Sequence, residues 1–563
     1  MSKPIAYLVF LVTAAFFGLF FLWPIATTVE EAFVVDGRFT LDFVHHIFVD
    51  PIYIEGLTNA FLIATCSTLA ALLIAMPLAL ISDRYIFPGK TLLSSLVLVP
   101  LILPPFVGAI GIKQILGQEG ALNILLSKAG LVDMSTPPDW LGEGRFWGIV
   151  IMNALHLYPI LYLNVTAALA NLDPAMEESA QNLGAGPWRR FRKITLPLAM
   201  PGIFAGATIV FIWSFTELGV PLIFDYQRVT SVQIFNGIKD ISGNPMPYAL
   251  VAVMLFFSVL LYIVGKHFFG RNTFTMTGRA AISTKQRKAP PLIGILCSGF
   301  FACIISLAIF PHIGVILMSF ATDWYHSILP QSFTLAHYSD ALGHELTVPS
   351  IANSLKYASI STLLDIVLGI AIAYVIVRTR IPGRGLLDAL SMLPLAVPGL
   401  VLAFGYLAMT REGQPFHFLL PNGNPTLILV IAYAVRRLPY VVRSAVAGFQ
   451  QTSVDLEEAA QNLGASPLRT LKRITIPLIT ANLIAGALLA FAFAMLEVSD
   501  SLILAQQQPH YPITKAIYTL FGALGNGHFL ASALGAWSMV FLAITIMGAS
   551  IALGKKLGAL FRV

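Results

Sequence analysis

Charge is what this chain has least of. Only 11% of its 563 residues are Asp, Glu, Lys or Arg, against 57% hydrophobic, a balance that excludes a soluble globular domain. Cysteine is nearly absent as well. Cys66, Cys297 and Cys303 fall inside apolar runs, where they read as small buried hydrophobes rather than as a disulfide or metal framework. His45-His46, His337 and His344 are scattered in loops without the i, i+4 spacing of a metal-binding helix, which argues against a membrane-bound metalloenzyme. No Gly-x4-Gly-Lys-Ser/Thr run occurs, so the chain has no phosphate loop for a nucleotide.

What is present is apolar sequence in lengths that cross a bilayer. Mean hydropathy is +0.80, and stretches of about 20 apolar residues, enough for roughly 30 Å of hydrocarbon, recur about twelve times. They centre on 5–27, 58–81, 92–112, 147–168, 201–223, 247–266, 291–319, 353–377, 386–408, 425–447, 481–503 and 529–553. The expected fold is an all-α polytopic membrane protein. The first run has no small-residue cleavage site and reads as a retained helix, with Pro24 marking a kink or exit.

Lysine and arginine set the orientation, because positive loops stay inside. An inside N-terminus places Lys3, Arg84, Lys90, Arg189-Arg190-Arg192-Lys193, the 266–288 stretch, Arg378-Arg380-Arg384, Arg469-Lys472-Arg473 and Lys555-Lys556-Arg562 in the cytoplasm. The other side holds fewer: Arg38, Lys113, Lys128, Arg145, Arg228, Lys239, Arg411 and Lys515. Both termini are then cytoplasmic. This asymmetry accounts for the net charge of +6 without a nucleic-acid partner.

The chain is also duplicated. Glu178-Ser-Ala-Gln-Asn-Leu-Gly184 and Glu458-Ala-Ala-Gln-Asn-Leu-Gly464 lie 280 positions apart, each followed after nine intervening residues by Ile194-Thr-Leu-Pro197 or Ile474-Thr-Ile-Pro477. Earlier landmarks match at an offset of 294: Asn59 with Asn353, Pro88-Gly89 with Pro382-Gly383, and Pro100 and Pro104 with Pro394 and Pro398. The difference falls in an outer loop, 113–146, which contains Trp140 and is expected to be partly ordered. The polar stretch 270–290 divides the chain into repeats 1–269 and 291–563. Six spans per repeat make the two parallel, related by an axis along the membrane normal.

The duplicated segment has its own mechanics. Asp173-Pro174 starts a short helix, Gly184 supplies a turn, and Pro187 opens a second basic helix expected to end near Pro197. Ala180 and Gly184 share one face, leaving room for a partner's backbone. Both copies face the cytoplasm.

Glu-Ala-Ala, three residues, Gly, nine residues, Ile-x-Leu-Pro resembles the signature loop of binding-protein-dependent ABC importer permeases. Ser179 for Ala and Ile476 for Leu are the departures. The resemblance covers both halves and is similar to fused permeases of the ferric-iron, phosphonate or thiamine type. It implies the type I importer fold and a coupling role for Glu177, Glu178, Ser179, Ala180, Gly184 and Pro197, and for Glu457, Glu458, Ala459, Ala460, Gly464 and Pro477. It implies two copies of a separate ATP-binding subunit that carry ATP-Mg, and no cofactor on this chain. It implies a periplasmic or lipid-anchored binding protein and residence in the bacterial inner membrane.

Ionisable residues inside spans are costly and mark function by default. Glu217 and Glu497 correspond in the fifth span of each repeat, Asp500 lies one turn beyond, and Arg436 and Arg437 sit mid-span in the tenth, where the first repeat has His156 and Leu157. They line a translocation pathway or bind helices together. Asp365 offers one arginine an internal partner, and Arg443, nearer the cytoplasm, snorkels. Carboxylates suit ferric iron, while arginines suit phosphonate or carboxylate. The expectation is iron, with phosphonate, thiamine or another small solute as alternatives. Any metal ligands are unknown. An ion-coupled secondary transporter is the rival class, but it has no use for two matching elbows.

Overall fold

Inside hydrocarbon every backbone donor and acceptor must be satisfied within its own segment, and helices do this. The computed structural model describes residues 3–35, 37–142, 145–170, 172–240, 244–269, 286–420 and 423–552. Among them nine helices are long and apolar enough to cross a membrane, from Ala6–Phe33 to Gly527–Gly548. Two of the three remaining expected spans are not single helices.

The third span of each repeat is broken. Lys90–Leu101 meets Pro105–Lys128 at 93°, and Arg384–Leu395 meets Gly399–Met409 at 100°. The prolines shared by the repeats explain the bend. Pro104 and Pro398 leave the helical region at ψ +122° and +136° and supply no N–H to continue the helix. The carbonyl left over at Pro100 accepts from His156 Nδ1 at 2.7 Å. The tenth span is the 26-residue helix Thr426–Gln451, which carries Arg436, Arg437 and Arg443.

The fifth spans are shorter at one end and longer at the other than the sequence indicated. Helices Leu196–Phe215 and Ile476–Met495 stop early, and short helices Gly219–Ile223 and Ser499–Leu504 follow. Glu217 and Glu497 therefore sit in a break rather than within a helix. Hydroxyls cover the freed backbone: Ser231 Oγ donates to the Glu217 carbonyl at 2.6 Å and Thr514 Oγ1 to the Glu497 carbonyl at 2.7 Å. At the other end, the basic helix does not stop at Pro197. Single π turns, Phe191–Thr195 and Leu471–Thr475, join Pro187–Arg190 and Pro467–Thr470 to the spans. The wider turn precedes Pro197 and Pro477, whose rings would otherwise press on the carbonyl four residues back.

Other expectations are corrected or bounded. Of the cysteines only Cys297 is buried; Cys66 is half-buried and Cys303 exposed, since a helix in lipid presents apolar side chains outward. The outer loop is ordered through Asn123, whose Oδ1 accepts from Trp140 Nε1 at 2.7 Å. Positions 270–285 of the linker, and Lys555, Lys556 and Arg562, lie outside the described residues. Arg287–Lys288 pairs in parallel with Tyr85–Ile86.

The chain forms two compact units that do not follow the repeat boundary. One holds Met1–Pro51, Gln233–Leu255 and Leu335–Val563, the other Ile52–Val232 and Phe256–Thr334. In the first, the opening helix of repeat one packs on the broken span of repeat two: Gly405 lies against the Pro24 carbonyl so closely that a Cβ would overlap it. Tyr406 Oη donates at 2.6 Å to the Phe20 carbonyl, four residues before Pro24, where proline cannot. In the second, Gly111 meets the Pro311 carbonyl in the same way. Each repeat's first helix is thus packed against the other repeat's third span.

Candidate functional site: two exposed elbows

Each elbow begins with a cap. Asp173 Oδ1 accepts the Ala175 N–H at 2.9 Å ahead of helix Pro174–Asn182, and Ser453 Oγ accepts the Asp455 N–H at 3.2 Å ahead of Val454–Asn462. Each helix ends on a glycine in the left-handed region, Gly184 at φ +80° and Gly464 at φ +86°. The closure is the double bond set that satisfies the last carbonyls. Gly184 and Ala185 donate to Gln181 and Ala180, both at 2.9 Å, and Gly464 and Ala465 to Gln461 and Ala460 at 2.9 and 3.0 Å. No atom lies within 4 Å of a Cβ built on either glycine. Within this chain the glycines are required by dihedral angle, and the space beside them is open.

That turn throws a leucine outward. Leu183 is 88% exposed and Leu463 89%, nearly the maximum for an apolar side chain and identical in the two copies. Trp188 and Leu468 are exposed beside them, as are Met176, Leu456 and Val454. Glu178, Ser179, Pro197, Glu458, Ala459 and Pro477 are also exposed, whereas Ala180 is half-buried and Ala460 buried. The alanines therefore turn towards the chain rather than outward. Sequence reasoning passed over the leucines. Their repetition directly before a helix-ending glycine, on an otherwise polar segment, was the available signal.

The first glutamate of each motif holds the elbow to the membrane part. Glu177 accepts from Arg84 Nη2 at 2.9 Å and from the Thr195 hydroxyl. Glu457 accepts from Arg378 Nε at 3.1 Å, while Arg378 Nη2 bonds the Thr452 carbonyl at 2.8 Å and the guanidinium lies 5.5 Å from the Phe449 ring centroid. Arg84 and Arg378 are the last residues of the second span of each repeat. The two latches differ in exposure: side chains are 37% and 31% exposed in the first but 8% and 7% in the second. Glu177 and Glu457 are anchors, and Glu178 and Glu458 remain available to a partner.

The intramembrane charges of the second repeat come together. Arg436 Nη1 bonds Glu497 Oε1 at 2.5 Å and Asp500 Oδ2 at 3.3 Å, and Arg437 Nη2 bonds Glu497 Oε2. The carboxylates suited to a cation and the arginines suited to an anion thus neutralise one another. Asp365 is fully buried and neither of its oxygens has a hydrogen-bond partner, so the arginines take Glu497 and Asp500 rather than Asp365. Glu217 accepts the Val220 N–H at 3.2 Å. Arg443 reaches Asp388 at 3.2 Å with its side chain 40% exposed. Among the described residues no three His, Cys, Asp or Glu side chains are grouped to hold a metal ion.

The structure is thus that of a helical membrane protein in which each repeat carries a latched, apolar-tipped elbow. The chain belongs to the family described as binding-protein-dependent transport system inner membrane component, whose model matches residues 61–273 and 365–553. It is a multi-pass inner-membrane permease of an ABC importer, a transport subunit. It is 29% identical over 521 residues to a putative ferric transport system permease protein of Haemophilus influenzae, covering 89% of this chain and 78% of that one. It is 30% identical over 448 residues to a ferric transport system permease protein of Actinobacillus pleuropneumoniae, covering 77% and 61%. A molybdenum transport system permease protein of Escherichia coli matches at 35% over 144 residues, 25% of this chain and 58% of the relative.

Proposed function

We propose that this permease carries ferric iron across the inner membrane and is driven by two copies of an ATP-binding subunit, one seated on each elbow. The observation that carries the coupling reading is the pair of exposed leucines, Leu183 and Leu463, each on a turn whose base is fixed to a membrane span by an arginine and a glutamate. An exposed apolar tip on a rigid base fits a cleft in a partner and transmits force from it. ATP-Mg is bound and hydrolysed on the partners, and this chain holds no cofactor of its own. The positive residues Arg189, Arg190, Arg192, Arg469, Lys472 and Arg473 support elbows, and both chain termini, on the cytoplasmic side. Movement of the elbows with ATP binding and hydrolysis rocks the helical units in alternating access.

Ferric cargo is supported by the names of the relatives that match most of this chain. A binding protein delivers it from outside. The test is ATP hydrolysis and uptake in reconstituted liposomes containing this chain, its ATPase and its binding protein. Ferric-loaded binding protein is expected to stimulate both, and binding protein loaded with 2-aminoethylphosphonate or thiamine to stimulate neither. Stimulation by either organic cargo and not by iron would overturn the ferric reading.

A further inference from the structure

Four of the eight cations that the charge count places on the outer side meet an acid. Lys113 and Arg145 pair with Asp225 at 3.1 and 3.3 Å, Arg228 with Glu55 at 3.3 Å, and Arg411 with Glu31 at 3.1 Å. Lys515 differs. It is 9% exposed, its Nζ donates to the Leu502 carbonyl at 3.0 Å, and Phe235 and Tyr511 present their rings at 5.8 and 5.5 Å. Among the described residues no carboxylate pairs with it, and two of its three donors are unused.

The other repeat shows that the fold does not need a lysine here. Ser231 and Thr514 make the same bond to the Glu217 and Glu497 carbonyls, which sets the local correspondence at 283 positions and matches Lys515 with Val232, buried at 0% exposure. A buried cation with no counter-charge costs several kcal/mol. Valine fills the equivalent place without that cost. The same correspondence matches Phe235 with Tyr518, whose rings meet edge to face at 6.0 Å between centroids. Corresponding residues that touch lie on the axis relating the repeats, and a pathway between parallel repeats follows that axis. Lys515 stands beside that contact, with its Nζ over the Phe235 ring. Its place after the fifth span is on the side opposite the elbows.

We propose that Lys515 is an anion-binding position on the translocation pathway, taking an oxyanion or carboxylate group of the cargo or of a ligand that travels with it, beneath the Phe235–Tyr518 pair. The inference rests on this chain forming the pathway and is independent of which cargo it carries. For a ferric cargo it means that the ion passes with an anionic oxygen ligand, because an isolated lysine repels a bare cation.

The test uses the intact complex of this chain with its ATPase, with inorganic phosphate as the probe. Equilibrium dialysis with radiolabelled phosphate is expected to show binding that weakens about tenfold or more in Lys515→Met and stays within about threefold of wild type in Lys515→Arg. Uptake of iron from loaded binding protein should fall in parallel. Methionine is an apolar replacement at a position where the other repeat accepts valine, and recovery of the ATPase with the variant checks assembly. Lys515→Met that binds phosphate and transports like wild type overturns the assignment, as does a wild-type complex that binds no phosphate. If wild type moves no iron while phosphate binding still depends on Lys515, the ferric reading falls and this site stands.

Discussion

Leu183 and Leu463 are the apolar tips of the two elbows, and the proposed coupling is tested on them. Leu183→Asp together with Leu463→Asp is expected to reduce recovery of the ATPase with this chain and to lower uptake at least about tenfold, because a desolvated apolar anchor is worth about 2 kcal/mol or more at a partner surface. Co-purification and transport assays read both effects, and wild-type recovery would remove the leucines from the interface. The latches should differ in the same measurements. Glu457→Ala strands the buried Arg378 and is expected to cost about 3–5 kcal/mol of local stability, whereas Glu177→Ala at the half-exposed Arg84 costs about 0.2–1 kcal/mol. Hydrogen exchange across 452–464 and 172–184 measures the contrast, and equal deprotection would contradict it. Substituting a bulky residue at Gly184 or Gly464 forces a side chain into the left-handed region at about 1–2 kcal/mol and fills the open space beside the turn, so ATP hydrolysis should persist while transport declines.

Elements matter here through their interruptions. Proline breaks the third spans, and the broken ends then receive the first helix of the opposite repeat, with glycine permitting backbone contact at Gly111 and Gly405. Gly405→Leu is expected to displace the opening helix from its seat and to lower the yield of folded protein, whereas Gly299→Leu, at a helical glycine with nothing within 4 Å of its Cβ, should not. Size-exclusion profiles in detergent decide the comparison. Similar yields would mean that the close approach is not needed for assembly. The fifth spans are interrupted too, and in the second repeat Arg436 and Arg437 hold the interruption through Glu497. Glu497→Gln keeps the shape but leaves the buried Arg437 and the half-buried Arg436 with one fewer counter-charge, a change expected to lower the melting temperature of the complex.

On the scale of the molecule, the exchange of first helices makes each compact unit a product of both repeats. Neither repeat completes its own packing. Expressing residues 1–269 alone is therefore expected to give a poorly folded product, and co-expression with 291–563 to restore it; a well-behaved isolated half would argue against the exchange. Much of the helical plan was legible in advance, because about 20 apolar residues in a row have few other uses and a duplicated motif declares its own repeat. The breaks were not. Pro100, Pro104, Pro394 and Pro398 were visible as a matched set, but proline in a membrane helix can bend it slightly or stop it, and the neighbours that satisfy the freed carbonyls decide which. His156 and Tyr406 do so from elements distant in sequence.

The amino-acid sequence by itself determined membrane residence, the number of repeats and the place of both elbows along the chain, since these depend on hydropathy and local motif. Only the tertiary structure decided which charges neutralise one another, which first helix packs on which repeat, and that Glu177 and Glu457 anchor while Leu183 and Leu463 are presented. Those outcomes depend on contacts between residues far apart along the chain. Spacing within one helix carries no record of them.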